Sequence, residues 1–256
     1  MQVELIYEEA RKQVIEACLD MQKKGLIRGT SGNVSVRIRK YEDAEPDPRW
    51  AEEDLLAISP TGIPYEELTP EMIPIVDMQG RQIEGSCRPS SELPLHLAVM
   101  RARPDAGAVV HTHSKFSTVM GILGYKIPVN TIPMVYYVRR PVPVASFEIP
   151  GSKELGDAVA RELKGSFIGE ENTDQPRKAV LLEHHGLVTL GKDIDDALAV
   201  AEYVEEAAEI AYYVSLADSA GYSGHGILSL VGSVSGSIPD SKVKKMLEIA
   251  DSGRAL

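Results

Sequence analysis

His111-Thr112-His113 closes an apolar run, Ala108-Val109-Val110. In an extended strand, residues i and i+2 point to the same face. Two imidazoles on one face at a strand end are half of a zinc site, or two ordinary polar histidines where a strand meets solvent. A second cluster, His184-His185-Gly186, ends the run Ala179-Val180-Leu181-Leu182. Neighbouring strand residues face opposite ways, so only one of this pair should meet a given metal. With the first pair it completes three nitrogen ligands and leaves a coordination position open, the catalytic rather than the structural pattern. Four of the six histidines fall in these two clusters, which favours metal binding over chance.

Three further segments have residue types suited to an anion. Ser90-Ser91-Glu92 opens a helical pattern. Serines there either cap free N–H groups or share them with a phosphate, and Glu92 is either a first-turn acid favoured by the dipole or a chemical group. Gly29-Thr30-Ser31-Gly32-Asn33 and Ser59-Pro60-Thr61-Gly62 are turns of small residues, where the backbone can approach a ligand and hydroxyls and amides can donate. Neither matches a nucleotide-binding fingerprint.

The elements that must position these residues follow from periodicity. Residues 4–24 read as an amphipathic helix ended by Gly25, and Val34, Val36 and Ile38 as one face of a strand. Residues 41–54, acidic and proline-containing, read as a surface loop. LLAISPTG is a strand and turn, and IVDMQGRQIEG a hairpin turning near Gly80. Leu93, Leu97 and Met100 mark a helix with Pro94 in its first turn, where proline is tolerated. Residues 114–124 are another helix, 125–150 a proline-rich stretch of short β segments, and SKELGDAVARELK a helix. KAVLLEHHGLVTLG is a strand–turn–strand, and the longest helix begins at IDDALAV. Strands and helices interleave without a repeat, which predicts one α/β domain with helices covering a central sheet. The expected boundary is 1–220 for this domain, with a Gly/Ser-rich linker and short helix over 221–256.

The 256 residues suffice for one sizeable core, mostly aliphatic because aromatics make up 5%. A net charge of −11 without a basic stripe argues against nucleic acid and against an anionic membrane surface as partners. One phosphate can still be held by a few backbone N–H groups. The two cysteines, Cys18 and Cys87, form no CxxC pair, and the N-terminus has no signal-peptide pattern, so a cytoplasmic location is expected.

Taken in order, GTSGNVSV, SPTGIPYEEL, SSELPLH, RPDAGAVVHTHS and LLEHHGLVTLG resemble the class II aldolase/adducin family, from about residue 8 to about residue 217. The resemblance implies a layered α/β/α fold with a largely antiparallel sheet. It also implies a fourfold homotetramer with active sites between subunits. By position it implies zinc ligands His111, His113 and His185, with His184 pointing elsewhere. Glu92 would be the catalytic acid/base and a zinc ligand when substrate is absent. Gly32, Asn33, Thr61, Gly62, Ser90 and Ser91 would form a phosphate pocket. The implied reaction is reversible retro-aldol cleavage of a ketose 1-phosphate, of the L-fuculose 1-phosphate kind, to dihydroxyacetone phosphate and a small aldehyde such as lactaldehyde. Zinc acts there as a Lewis acid. Ile132 stands where the family's aldolases place a tyrosine on the aldehyde side. Tyr136 and Tyr137 lie close by, as substitutes or as packing residues. Related branches include 4-epimerases of sugar phosphates, methylthioribulose-1-phosphate dehydratases and sugar-acid phosphate decarboxylases. The epimerases usually have aspartate at the Glu92 position, and the dehydratases tend to have arginine at the His184 position. The adducin-like interaction modules lack the metal histidines.

Overall fold

The computed structural model describes residues 2–40, 53–164, 176–219, 238 and 240–251. The chain runs α1 (Gln2–Lys23), β1 (Asn33–Ile38), β2 (Leu55–Ile58), β3 (Ile75–Asp77), β4 (Gln82–Glu84), α2 (Leu93–Ala102), β5 (Ala108–Thr112) and α3 (Lys115–Leu123). It continues through β6 (Val144–Ala145), α4 (Lys153–Lys164), β7 (Ala179–Leu182), β8 (Gly186–Gly191), α5 (Ile194–Ser219) and α6 (Asp240–Asp251). The strands make one sheet in the order β4-β3-β2-β1-β5-β8-β7-β6, antiparallel except for the β6–β7 pair. The expected layered, largely antiparallel α/β fold is borne out.

Alternation along each strand divides the core in two. Val34, Val36, Ala108 and Val110 pack with α1 residues such as Val14 and Met21 and α5 residues such as Val204. Val109, Val180, Val188 and Leu190 pack with Leu95 and Val99 of α2 and Val159 of α4. Each Val or Leu fully buried in this way contributes roughly 1.5–3 kcal/mol. Among the described residues, no helix is long and apolar enough to cross a membrane.

Three sequence readings need correction. The stretch 125–150 contains a π-helical turn, Met134–Val138, as well as the short β6 and an Ile127–Val142 bridge. Arg139, with φ 69°, ends that turn. The segment read as a surface loop over 41–54 ends in a buried residue. Asp54 is paired at 2.8 Å with Arg37, whose side chain is fully enclosed. Residues 41–52 lie outside the described residues. The histidines at 184 and 185 sit in the β7–β8 turn and not in a strand. His184 and His185 therefore diverge because His184 takes a left-handed conformation, φ 58°. Of the expected linker, residues 221–237 also lie outside the described residues. α6 beyond it returns to the body, where Arg139 pairs with Asp251 and the Ile238 N–H donates to the Val129 carbonyl.

Register gathers one edge of the sheet. Asn33 opens β1 opposite His111 near the end of β5. Thr112 lies opposite Leu187, and Leu182 opposite Gly186, so the β7–β8 turn falls at the same edge. Glycine is required there: a Cβ on Gly186 would stand 2.1 Å from the Thr112 carbonyl oxygen, a backbone atom that cannot step aside. Gly186→Ala is expected to cost at least about 1–3 kcal/mol, read from urea denaturation, because overpacking against backbone cannot be relieved by a rotamer change.

Candidate metal centre and active site

The face of β5 that carries Val109 also carries His111 and directs it towards α2, whose N-cap is Glu92. Glu92 Oε2 lies 3.1 Å from His111 Nε2, and Oε1 lies 3.5 Å from His185 Nε2. His113 Nε2 is 3.0 Å from His111 Nε2, and the three ring centroids are each 4.8 Å apart. One ligand atom from each of Glu92, His111, His113 and His185 fits within a 4.8 Å spread. Four donors around a zinc ion at about 2.0–2.1 Å would be roughly 3.4 Å from one another, so this donor set fits a divalent metal.

The protonation pattern agrees. His111 Nδ1 is 3.0 Å from the Leu187 carbonyl oxygen, which can only accept, so Nδ1 carries a proton and Nε2 is the nitrogen turned to the cluster. Burial pushes the His113 imidazole down to about 4, and the charges of His111 and His185 push the same way against Glu92. His185 is lowered by burial first, then by His111. Neutral imidazoles are the metal-binding form. For Glu92, burial works to raise the pKa. The His111 hydrogen bond and charge, the Asn33 hydrogen bond and His185 prevail and hold the carboxyl well below the usual range. Glu92 Oε1 and His185 Nδ1 are buried without a hydrogen-bond partner, and a buried carboxylate oxygen beside an imidazole is a donor suited to a cation.

The three small-residue turns lie side by side at this edge. The Ser90 N–H donates to the Ser59 carbonyl, the Thr61 N–H to the Arg88 carbonyl, and the Val34 N–H to Ser59 Oγ. Tyr65 donates its hydroxyl to the Gly32 carbonyl. Gly32 has φ +77°, and a Cβ there would stand 2.7 Å from the His111 carbonyl oxygen. Ser90 is buried and its Oγ accepts from the Glu92 N–H, whereas Ser91, Thr61 and Gly62 are exposed. Asn33, expected in the phosphate pocket, is also tied to the metal cluster. Its Nδ2 donates to Glu92 Oε2 at 2.9 Å, and its Oδ1 meets His96 Nε2 at 2.5 Å.

The tyrosines stand apart. Among the described residues, no hydrogen bond or ring contact joins Tyr136 or Tyr137 to Glu92 or the histidines. Tyr137 lies against Tyr203 of α5 with centroids 4.4 Å apart, and the Tyr136 hydroxyl is buried without a partner. Ile132 is 52% exposed. His184 turns outward beside Phe147.

Sequence reasoning missed His96 and Glu205. Glu205 on α5 caps α3, accepting from the Phe116 and Ser117 N–H groups and from Ser117 Oγ, and so fixes the chain just after His113. His96 is wholly buried. Burial, then the charge of His111, pushes its pKa from the ordinary 6.5 to about 3, with Glu92 opposing. The folded protein thus holds His96 neutral, while the unfolded chain binds a proton at any pH between those values. This residue's penalty is absent above about pH 6.5 and grows as pH falls towards 3. Metal-free His96→Gln protein is therefore expected to lose less stability than wild type between pH 7.5 and 5, measured by urea denaturation at both.

Residues 12–212 match the family model described as the class II aldolase and adducin N-terminal domain. The chain is 38% identical over 206 residues to L-fuculose phosphate aldolase of Escherichia coli strain K12, covering 80% of this chain and 83% of that one. It is 35% identical over 208 residues to 5-deoxy-D-ribulose 1-phosphate aldolase of Bacillus thuringiensis serovar kurstaki, covering 81% and 86%. A solved structure titled L-fuculose 1-phosphate aldolase superposes with a TM-score of 0.73 at 27% identity, covering 95% of this chain and 96% of that one. With its buried carboxylate among three imidazoles, the chain belongs to the class II aldolase/adducin family, as a metal-dependent aldehyde-lyase.

Proposed function

We propose that the chain is a zinc-dependent aldolase that reversibly cleaves a ketose 1-phosphate between C3 and C4, giving dihydroxyacetone phosphate and a small aldehyde. The convergence of Glu92 with His111, His113 and His185 carries this reading. Three imidazoles and a displaceable carboxylate suit zinc and leave room for substrate oxygens. A metal held there supplies Lewis-acid polarisation of the substrate carbonyl and neighbouring hydroxyl.

The chain's own groups do the rest. Glu92, ionised and within reach of the site's centre, takes and returns the proton at C3 of the dihydroxyacetone phosphate portion. The turns at Gly32, Thr61–Gly62 and Ser90–Ser91 hold the phosphate. Asn33 contributes the second hydrogen of its amide, which no described residue uses. Remote phosphate binding then positions C3 against Glu92. Tyr136 and Tyr137 are assigned a lesser part, on the aldehyde side. The catalytic part comprises residues 1–220. A homotetramer is part of the proposal, because Ile132, Phe147 and Ile149 leave apolar side chains 52%, 53% and 70% exposed. A cytoplasmic location is part of the same reading, and the two unpaired cysteines support it.

The relatives named above act on two different sugars by their names, so the sugar is tested directly. Zinc-loaded protein would be given L-fuculose 1-phosphate and 5-deoxyribulose 1-phosphate in turn, with dihydroxyacetone phosphate as the readout. Release from either, abolished by a chelator, supports the aldolase. Epimerised or dehydrated product without release would replace it.

A further inference from the structure

β1 presents Asn33, Ser35 and Arg37 on one face and Val34, Val36 and Ile38 on the other. All six are buried, so the polar face is not a solvent face. α2 covers it, and Glu92 and His96, four residues apart, fall on the same side of that helix. Ser35 Oγ lies 2.7 Å from His96 Nδ1, His96 Nε2 lies 2.5 Å from Asn33 Oδ1, and Asn33 Nδ2 lies 2.9 Å from Glu92 Oε2. Ser35 and His96 are both fully enclosed.

The direction of each hydrogen bond follows from the Glu92 end. An ionised carboxylate only accepts, so the Asn33 amide must donate and turn its oxygen to His96. That oxygen only accepts, so His96 carries its proton on Nε2. Nδ1 then has a lone pair, and the Ser35 hydroxyl must donate to it. We propose that His96 is the positioning residue of the site: locked by Ser35 as the Nε2–H tautomer, it fixes the Asn33 amide so that its N–H holds Glu92 Oε2 in place for proton transfer. The inference rests on Glu92 being the acid/base. Burial in a low-dielectric pocket makes a wrong amide orientation costly, because Asn33 Oδ1 would then face the carboxylate.

Two measurements on the full chain test it. The first is the one-bond 15N–1H coupling of the His96 ring, in metal-free and zinc-loaded protein. A proton on Nε2 and none on Nδ1 is expected, and a proton on Nδ1 overturns the proposal whatever the enzyme's substrate proves to be. The second compares three variants. The amide nitrogen of glutamine takes the place of Nε2, that of asparagine takes the place of Nδ1, and phenylalanine has neither. His96→Asn and His96→Phe should lower kcat on the order of 10–100-fold with zinc content kept and KM little changed, and His96→Gln should recover most of the loss. If His96→Gln is folded and zinc-loaded yet as slow as His96→Phe, the donor role is wrong.

Discussion

Glu92→Gln is expected to lower kcat by about 10²–10⁴-fold, the usual range for losing a general acid/base, while zinc content and KM stay near wild type. The substitution keeps the shape of the side chain and an oxygen that can accept from Asn33 Nδ2. It removes the negative charge and the capacity to take a proton from carbon. The three histidines remain to hold the metal, and the phosphate turns are untouched, so binding should survive. A loss in kcat without a loss in binding is the signature of an interaction made in the transition state. Steady-state kinetics with metal analysis of the same preparation checks it. Full activity in Glu92→Gln would remove the carboxylate from the chemistry.

His111→Ala should have the other large effect. His111 is fully buried, its Nδ1 is fixed on the Leu187 carbonyl, and its Nε2 lies beside both Glu92 and His113. Truncation removes one of three nitrogen donors and the imidazole nearest to Glu92 Oε2. Zinc content, about one ion per chain in the wild type if all three imidazoles bind, should fall to a small fraction after dialysis. With several kcal/mol of Lewis-acid stabilisation gone, the rate should drop on the order of 10³-fold. His184→Ala is the matched control. Its ring faces Phe147 outside the cluster, so zinc and activity should both persist. If His184→Ala lost zinc and His111→Ala kept it, the ligand assignment would be reversed.

Much of this centre is legible in the sequence, because strand spacing puts the side chains of His111 and His113 on one side whatever surrounds them. The phosphate turns are legible as turns, since Gly32 and Gly62 mark positive φ. The polar face of β1 is not. Alternation of Val34, Val36 and Ile38 with Asn33, Ser35 and Arg37 reads as a strand wet on one side. Only the docking of α2 turns that face into an interior network. Arg37 shows the same limit. Its partner Asp54 comes from a stretch whose composition is that of an exposed loop, and pairing across sequence distance leaves no local signal. His96 was overlooked because an isolated histidine in a helical pattern has no spacing to interpret. The π-helical turn at Met134–Val138 was overlooked because prolines on both sides suggest extended chain.

A bound metal and Glu92 together should exchange a proton at the carbon that forms the new bond. Dihydroxyacetone phosphate alone, incubated in D2O, tests this without any choice of aldehyde. Zinc-loaded wild type should exchange one hydrogen of the hydroxymethyl carbon, followed by NMR. Chelated wild type and zinc-loaded Glu92→Gln should not. Exchange at an undiminished rate in Glu92→Gln, or none in the zinc-loaded wild type, would contradict the account.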